Sequence, residues 1–274
     1  FFQAEDGIRA RSPSRGLGDV YKRQLMNLGF YLIIFHHLQR RPLAKESGWE
    51  QYEFFVFLAT TWIVFSLVQA FFMPNAQEFS ELIRTGNLDF ALLKPIDTQF
   101  LISFAKVDWS ALANFFMGVI LLIYSLMKLC SQEVHPLDLS STMVFLYLFY
   151  ICCGLAILYS LMIALAATSI WLGRNQSLYD FWFYITNFSR YPMEIYTQGW
   201  WGWSLWGLFT FVVPILIVIN VPARLLAQPL RMLDESPWWE WPLAGYAVVA
   251  AIACLLLSRL VFSKALLSYR SASS

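Results

Sequence analysis

YEFFVFLATTWIVFSLVQAFF (52–72) runs directly into MPNAQEFSELIRTGNLDFALLKP (73–95), and the reading of that join decides the fold. The first part is apolar over a length that crosses a bilayer, for which a helix needs roughly 20 residues. The second part is polar and punctuated. From Ala76 its pattern places Phe79, Leu82 and Ile83 on one helical stripe and Gln77, Glu78, Glu81 and Arg84 on the other. Gly86 falls where a left-handed residue ends a helix. Leu88, Asp89, Phe90, Leu92, Leu93 and Lys94 follow before Pro95 stops the run. The expectation is a short amphipathic helix and a turn outside the membrane, over 76–95. An interfacial connection between two spans accounts for the same amphipathicity.

Composition agrees with the apolar part. The chain has 274 residues, 58% of them hydrophobic and 14% charged, with a mean hydropathy of +0.54. That leaves too little polar surface for a soluble globule and implies an all-α integral membrane protein with several spans. A net charge of +1 with no basic tract gives no reason to expect nucleic acid. Cys130, Cys152, Cys153 and Cys254 lie in or beside apolar runs with no metal-like spacing and read as small hydrophobes.

The first 24 residues, FFQAEDGIRARSPSRGLGDVYKRQ, share neither the hydropathy nor the periodicity of the rest and are read as a non-native segment resembling translated sequencing-adapter DNA. Residues 25–274 form one transmembrane domain. Its expected spans are 25–38 (the surviving part of a longer helix), 52–72, 107–129, 142–172, 177–196 and 239–262. Trp238, Trp239 and Trp241 lead into the last as an interfacial aromatic belt.

Two segments compete for the fifth crossing. SLYDFWFYITNFSRYPMEIY (177–196) carries Asp180, Arg190 and Glu194, the last two one helical turn apart and able to pair. WGWSLWGLFTFVVPILIVIN (201–220) is more apolar but holds Pro214. If both chain ends share a side, only one crosses. The reading adopted makes 177–196 the crossing helix and 201–226 a re-entrant or interfacial hairpin turning near Pro214 and Pro222, irregular backbone being allowed at that depth when protein buries it. Ionisable residues inside a span are functional suspects by default, with pairing across the bundle as the alternative for Asp180, Arg190 and Glu194. Loop Lys and Arg divide evenly between the two sides, so they do not orient the chain.

No G-x-x-x-x-G-K-[ST] loop occurs, so the chain shows no phosphate-binding motif for ATP. His36 and His37 are adjacent, about 100° apart on a helix, and do not suit one metal ion. Asp89, Asp97 and Asp108 near Lys94 and Lys106 leave open an integral membrane transferase acting on lipid-linked substrates. Gly118, Ser125, Gly154, Ser160 and Ser169 are candidates for close helix contact rather than for substrate recognition.

IRTGNLDFALLKPIDTQFLIS (83–103) resembles the signature of the ABC type-2 permease family of bacteria, an Arg-Ser/Thr-Gly-x-Leu-Asp-x-x-Leu-x-Lys-Pro segment after a hydrophobic span. Arg84, Thr85, Gly86, Leu88, Asp89, Leu92, Lys94 and Pro95 match it at every position, and the likeness extends from about Gly48 to the C-terminus. The resemblance implies a six-span permease subunit of an ATP-driven exporter in the bacterial cytoplasmic membrane, paired with a second permease subunit, identical or not, and surrounded by lipid. It further implies no cofactor on this chain, with ATP and Mg held by a separate ABC ATPase subunit. On that reading 76–95 is the coupling segment that docks on the ATPase through Glu78, Phe79, Glu81, Leu82, Arg84, Gly86, Leu88, Asp89, Leu92, Lys94 and Pro95, its apolar stripe lying against the ATPase or the membrane face. The amphipathic helix expected before the first span is missing from the sequence as read.

Overall fold

The computed structural model describes residues 26, 29, 49–132, 137, 139–172, 176–197, 199–228 and 240–269, with backbone alone for 80, 84, 172, 176–179, 199–200 and 240–241. The adapter-like segment 1–24, nearly all of the partial span 25–38, and His36 and His37 lie outside these residues. Among the described residues the regular elements are all helices, in the order α1 (Gln51–Phe71), α2 (Met73–Arg84), α3 (Leu88–Leu92), α4 (Thr98–Ser103), α5 (Leu112–Cys130) and α6 (Ser141–Ala167). There follow α7 (Ser169–Leu172), α8 (Gln176–Asn187), α9 (Gly199–Gly207), α10 (Leu216–Ala227) and α11 (Glu240–Ser268). Among the described residues four helical runs are long and apolar enough to cross a membrane: Gln51–Ile83, Leu112–Cys130, Ser141–Trp171 and Pro242–Ser268.

The first of these is the hub. Its apolar window is 72% buried inside the chain, against 28% for α5 and α11 and 44% for α6. The other three therefore leave whole apolar faces uncovered, such as Phe116, Ile120, Ile123 and Met127 on α5, where lipid or another subunit has to complete the burial. At its start the Glu53 carboxylate accepts from the Glu50 N–H at 2.8 Å, which satisfies a donor the helix would otherwise leave open. The helix α5 packs along α1 because Gly118 has no side chain: a Cβ there would meet Ile63 Cγ1 at 3.0 Å and the Ala59 carbonyl at 3.2 Å.

A different form is taken by 177–196. It is not one helix but the 12-residue α8, a 3-10 turn at Phe188–Arg190 and another at Met193–Thr197. Pro192, which has no N–H to donate, stands at the break. The stretch nevertheless runs the length of α1. Trp182 meets Phe65 edge-on at 6.4 Å in the second half of α1, and Glu194 accepts from Trp49 Nε1 at 3.1 Å ahead of its first turn. Next comes a bent pair, Trp201–Val212 and Leu216–Ala227, at 89° to one another. The bend falls at Val213–Ile215, next to Pro214 as expected, after a π-helical turn at Leu208–Val212. Pro222, expected at a second turn, instead lies inside α10.

Beside that proline a neighbouring helix packs closely. Pro222 has no N–H for the Val218 carbonyl one turn back, and at this point α6 comes close: a Cβ on Gly154 would stand 3.0 Å from Val218 O and 2.9 Å from Val218 Cγ1. Gly154→Leu should force α6 and α10 apart and lower the stability by about 1–3 kcal/mol, read as a lower unfolding temperature in detergent, whereas Gly245→Leu, at a site with nothing within 4 Å, should leave it unchanged.

Candidate functional site

The segment expected to couple is anchored by one consequence of Pro74. An uninterrupted helix would place an N–H at position 74 on the carbonyl of Ala70, and proline has none. The backbone N–H of Asp108 takes its place at 2.8 Å. Beside it, the buried Asn75 donates Nδ2 to the Lys106 carbonyl and accepts from the Lys106 N–H through Oδ1, both at 2.8 Å. The side chains of Lys106 and Glu78 pair at 2.8 Å. Residues 106–108 are thereby clasped to the α1–α2 junction, so that 85–105 is a closed loop with a fixed base.

Within the loop, Gly86 has φ +74°, the left-handed conformation that glycine adopts without strain, and ends α2 as the spacing implied. Leu88 is fully buried and Asp89 is half-buried. Burial first, and then the Asp89 carboxylate beside it, push the Tyr269 phenol above its ordinary value of 10.0, which places the C-terminal end of α11 against the turn. Glu81 points outward, while its carbonyl accepts from the Thr85 N–H and hydroxyl, both at 2.9 Å. Phe90, Leu92, Leu93, Lys94 and Pro95 are exposed, Phe90 at 70% and Leu93 at 81%. Two uncovered large apolar side chains on a tight turn are a surface that calls for a partner. Between α2 and the loop lies a groove of about 360 Å³, with Leu82, Phe90 and Ile102 along it and Glu78 and Lys94 at its edges.

One expectation is corrected here. The stripe of Phe79, Leu82 and Ile83 does not face outward: Phe79 is 1% exposed against Phe262 of α11, at 5.6 Å between rings, and Leu82 and Ile83 pack half-buried on the same core. The reason is continuity, since α2 prolongs α1 with a single residue, Phe72, between them, and its apolar stripe prolongs the core face. The outward surface is formed by Phe90 and Leu93 instead. The side chain of Arg84 lies outside the described residues.

The loop returns to the bundle through a polar chain that the sequence reading missed. Asp97 caps α4 by accepting from the Phe100 N–H at 3.0 Å and is gripped by both Nη atoms of Arg259, one at 2.9 Å. The Arg259 hydrogen bonds first, then the Phe100 N–H, hold the Asp97 carboxyl below its ordinary 3.8. A lowered value means that this contribution to stability is present above pH 3.8 and fades as the pH falls through the folded value. Arg259 Nη1 also donates to Gln99 at 3.1 Å, Gln99 to the Tyr159 hydroxyl at 3.1 Å, and Ser103 and Tyr159 share a bond of 2.7 Å. A lone arginine inside the last apolar run was the available signal.

The second charged cluster sits at the opposite end of α1. Glu194 pairs with Arg224, not with Arg190 as its spacing suggested. Arg190 lies over the Phe65 ring at 4.4 Å, and Asp180 is exposed. Arg224, 8% exposed, lies over Trp49 at 5.7 Å, and Gln228 donates to the buried Glu53 at 2.8 Å. Both flanks of the bent pair thus return to the same end of α1. Among the described residues no group of three His, Cys, Asp or Glu side chains is arranged to hold a metal ion.

Residues 84–95, which carry the signature, thus lie on and next to a loop clasped at its base to an apolar helical bundle. Compared with known families, residues 23–273 match the ABC-2 family transporter proteins. The chain belongs to the ABC-2 transporter family. No curated protein and no solved structure matches it. It is accordingly a multi-pass, all-helical membrane component of a transporter.

Two outcomes are expected for this ABC-2 protein. Asn75→Ala removes both bonds to the Lys106 backbone and should cost about 1–3 kcal/mol, with faster amide exchange at residues 106–108, whereas Glu78→Gln, which loses only a partly exposed ion pair, should cost about 0–1 kcal/mol. Arg224→Met should destabilise by roughly 3–5 kcal/mol by leaving Glu194 without its partner, and adding Glu194→Leu should recover most of that, read from unfolding temperatures of the single and double variants.

Proposed function

We propose that this chain is the permease subunit of an ATP-driven exporter in a bacterial cytoplasmic membrane, working with a separate ABC ATPase subunit and a second permease subunit. ATP and Mg belong to the ATPase; this chain converts its movement into rearrangement of the bundle. The observation that carries the proposal is the clasped loop of 85–105, fixed at its base through Ala70, Asn75 and Lys106 and uncovered at its tip through Phe90 and Leu93. Rigidity at the base and apolar exposure at the tip are what a docking element has to combine, because a tip that yields on its own transmits nothing.

On the same reading the loop is cytoplasmic, 176–197 crosses the bilayer as an interrupted span, and 201–227 is a re-entrant hairpin whose two flanks stay on the outer side. Support comes from Glu194 and Gln228, which bond to Trp49 and Glu53 at the end of α1 remote from the loop.

Phe90→Asp tests the docking directly, since a side chain 70% exposed can be changed without opening the core. The variant should reach the membrane at the parent's level and unfold at the same temperature while the co-purified ATPase falls by about tenfold or more, as for an interface anchor worth over 1.4 kcal/mol. Lys94→Cys, in a chain whose four native cysteines are replaced by serine, should react with a membrane-impermeant thiol reagent only from the cytoplasmic side. Labelling from outside, or a Phe90→Asp variant that retains the ATPase, overturns the proposal. A transferase would turn over a lipid-linked substrate without an ATPase, and the same purified chain tests for that.

A further inference from the structure

Between α6 and α11, closed on one side by residues 97–104, lies a cleft of about 520 Å³. It is a different space from the groove beside Phe90. Its walls are Phe72, Phe104, Leu155, Ala156 and Leu255, and it opens among exposed apolar side chains, Phe100 and Phe104 on α4 and its end and Leu255 on α11. In a multi-pass protein that face meets acyl chains, because α6 and α11 are both of crossing length. One end of the cleft is polar, formed by Asp97, Gln99, Tyr159 and Arg259. Arg259 is the twentieth residue of α11, about 28 Å from its start at 1.5 Å per residue, and so stands at one edge of the roughly 30 Å hydrocarbon layer, on the side of the 85–105 loop.

The guanidinium is not saturated. Nη1 and Nη2 serve Asp97 and Gln99, the side chain is 49% exposed, and its Nε–H makes no bond to another described residue. An apolar slot that ends in a half-exposed arginine at headgroup depth suits a molecule with an acyl chain below and a phosphate above. We propose that this cleft is a glycerophospholipid site of the leaflet on the loop side, one acyl chain lying between Leu155, Ala156 and Leu255 and the phosphate on Arg259 beside Asp97.

The position gives the site a consequence. The lipid would touch residues 97–104, which connect the tip of the loop to its clasp, and would stiffen them by filling the space beneath Phe104. Asp97 competes with the phosphate for Arg259, so the carboxylate limits affinity. The inference stands on the membrane character of the chain and is independent of any ATPase partner.

Native mass spectrometry of the purified full chain tests it, with dioleoylphosphatidylglycerol, dioleoylglycerol and glycerol 3-phosphate as probes. One phosphatidylglycerol should be retained, dioleoylglycerol should bind about tenfold more weakly for want of a charge-assisted bond, and glycerol 3-phosphate should not be retained. Arg259→Gln should lower phosphatidylglycerol binding to the dioleoylglycerol level, and Ala156→Trp should block both lipids. Asp97→Asn should tighten phosphatidylglycerol binding, a gain that misfolding cannot produce. Equal retention of the two lipids, indifference to Arg259→Gln, or weaker binding in Asp97→Asn would overturn the proposal.

Discussion

The absence of a single N–H, that of Pro74, is the constraint on which the polar half of the molecule depends. A carbonyl at the end of a buried helix has to find a donor, and in hydrocarbon no water supplies one. Ala70 finds it in Asp108, more than thirty residues later, so the chain is obliged to come back to the place it left. Asn75, one residue after the proline, doubles the attachment through the Lys106 backbone. The loop in between can carry charge and exposed apolar side chains without loosening the bundle, since its base is fixed by bonds to the Lys106 and Asp108 backbone and Leu88 and Ile102 are buried in the core.

The two charged clusters solve different problems with similar residues. Asp97 and Arg259 are each nearly half exposed, so their pairing is cheap to make and contributes little by itself; what it does is orient α4 and tie it to Gln99 and Tyr159. Glu194 and Arg224 are largely buried, where an unpaired charge costs several kcal/mol, and there the pair acts as a condition on the fold. Trp49, stacked by Arg224 and bonded to Glu194, closes that cluster against α1. The bent pair returns to this cluster, which holds both its ends while a π-turn, the bend at Pro214 and Pro222 interrupt its helices between them.

Much of this was legible from residues. Long apolar runs gave α1, α5, α6 and α11 because every residue in such a run favours the same outcome, and Gly86 and Pro214 marked their turns because only backbone chemistry is involved. Gly118 and Gly154 were recognisable as contact positions for the same reason. Partners were not legible. A spacing of four residues made Arg190 and Glu194 look like a pair, yet the α-helix ends at Asn187 and the periodicity that justified the pairing ends with it. The stripe of α2 was correctly drawn, but a stripe does not say what it faces; only the continuity of α1 and α2 turns Phe79 toward Phe262. Asp97 and Arg259 are 162 positions apart, a distance at which sequence pattern carries no information.

That continuity bears on how a push at the loop would be felt. The run Gln51–Ile83 has 33 residues, about 50 Å at 1.5 Å per residue, and its membrane part is the most enclosed helix of the four. A rigid rod that is gripped at Phe79 by α11, at Ala59 and Ile63 by Gly118 of α5 and at Thr60 by the Tyr147 hydroxyl of α6 cannot tilt without moving all three neighbours. Interiors packed at such density resist gradual deformation and shift between discrete arrangements. Force entering at Phe90 would therefore reach α5, α6 and α11 together through α1, and the far end of the same rod is held by Trp49 and Glu53 to the flanks of the bent pair. On the proposed coupling, the hairpin held there, bent by 89° beside Pro214, would move with that end of the rod.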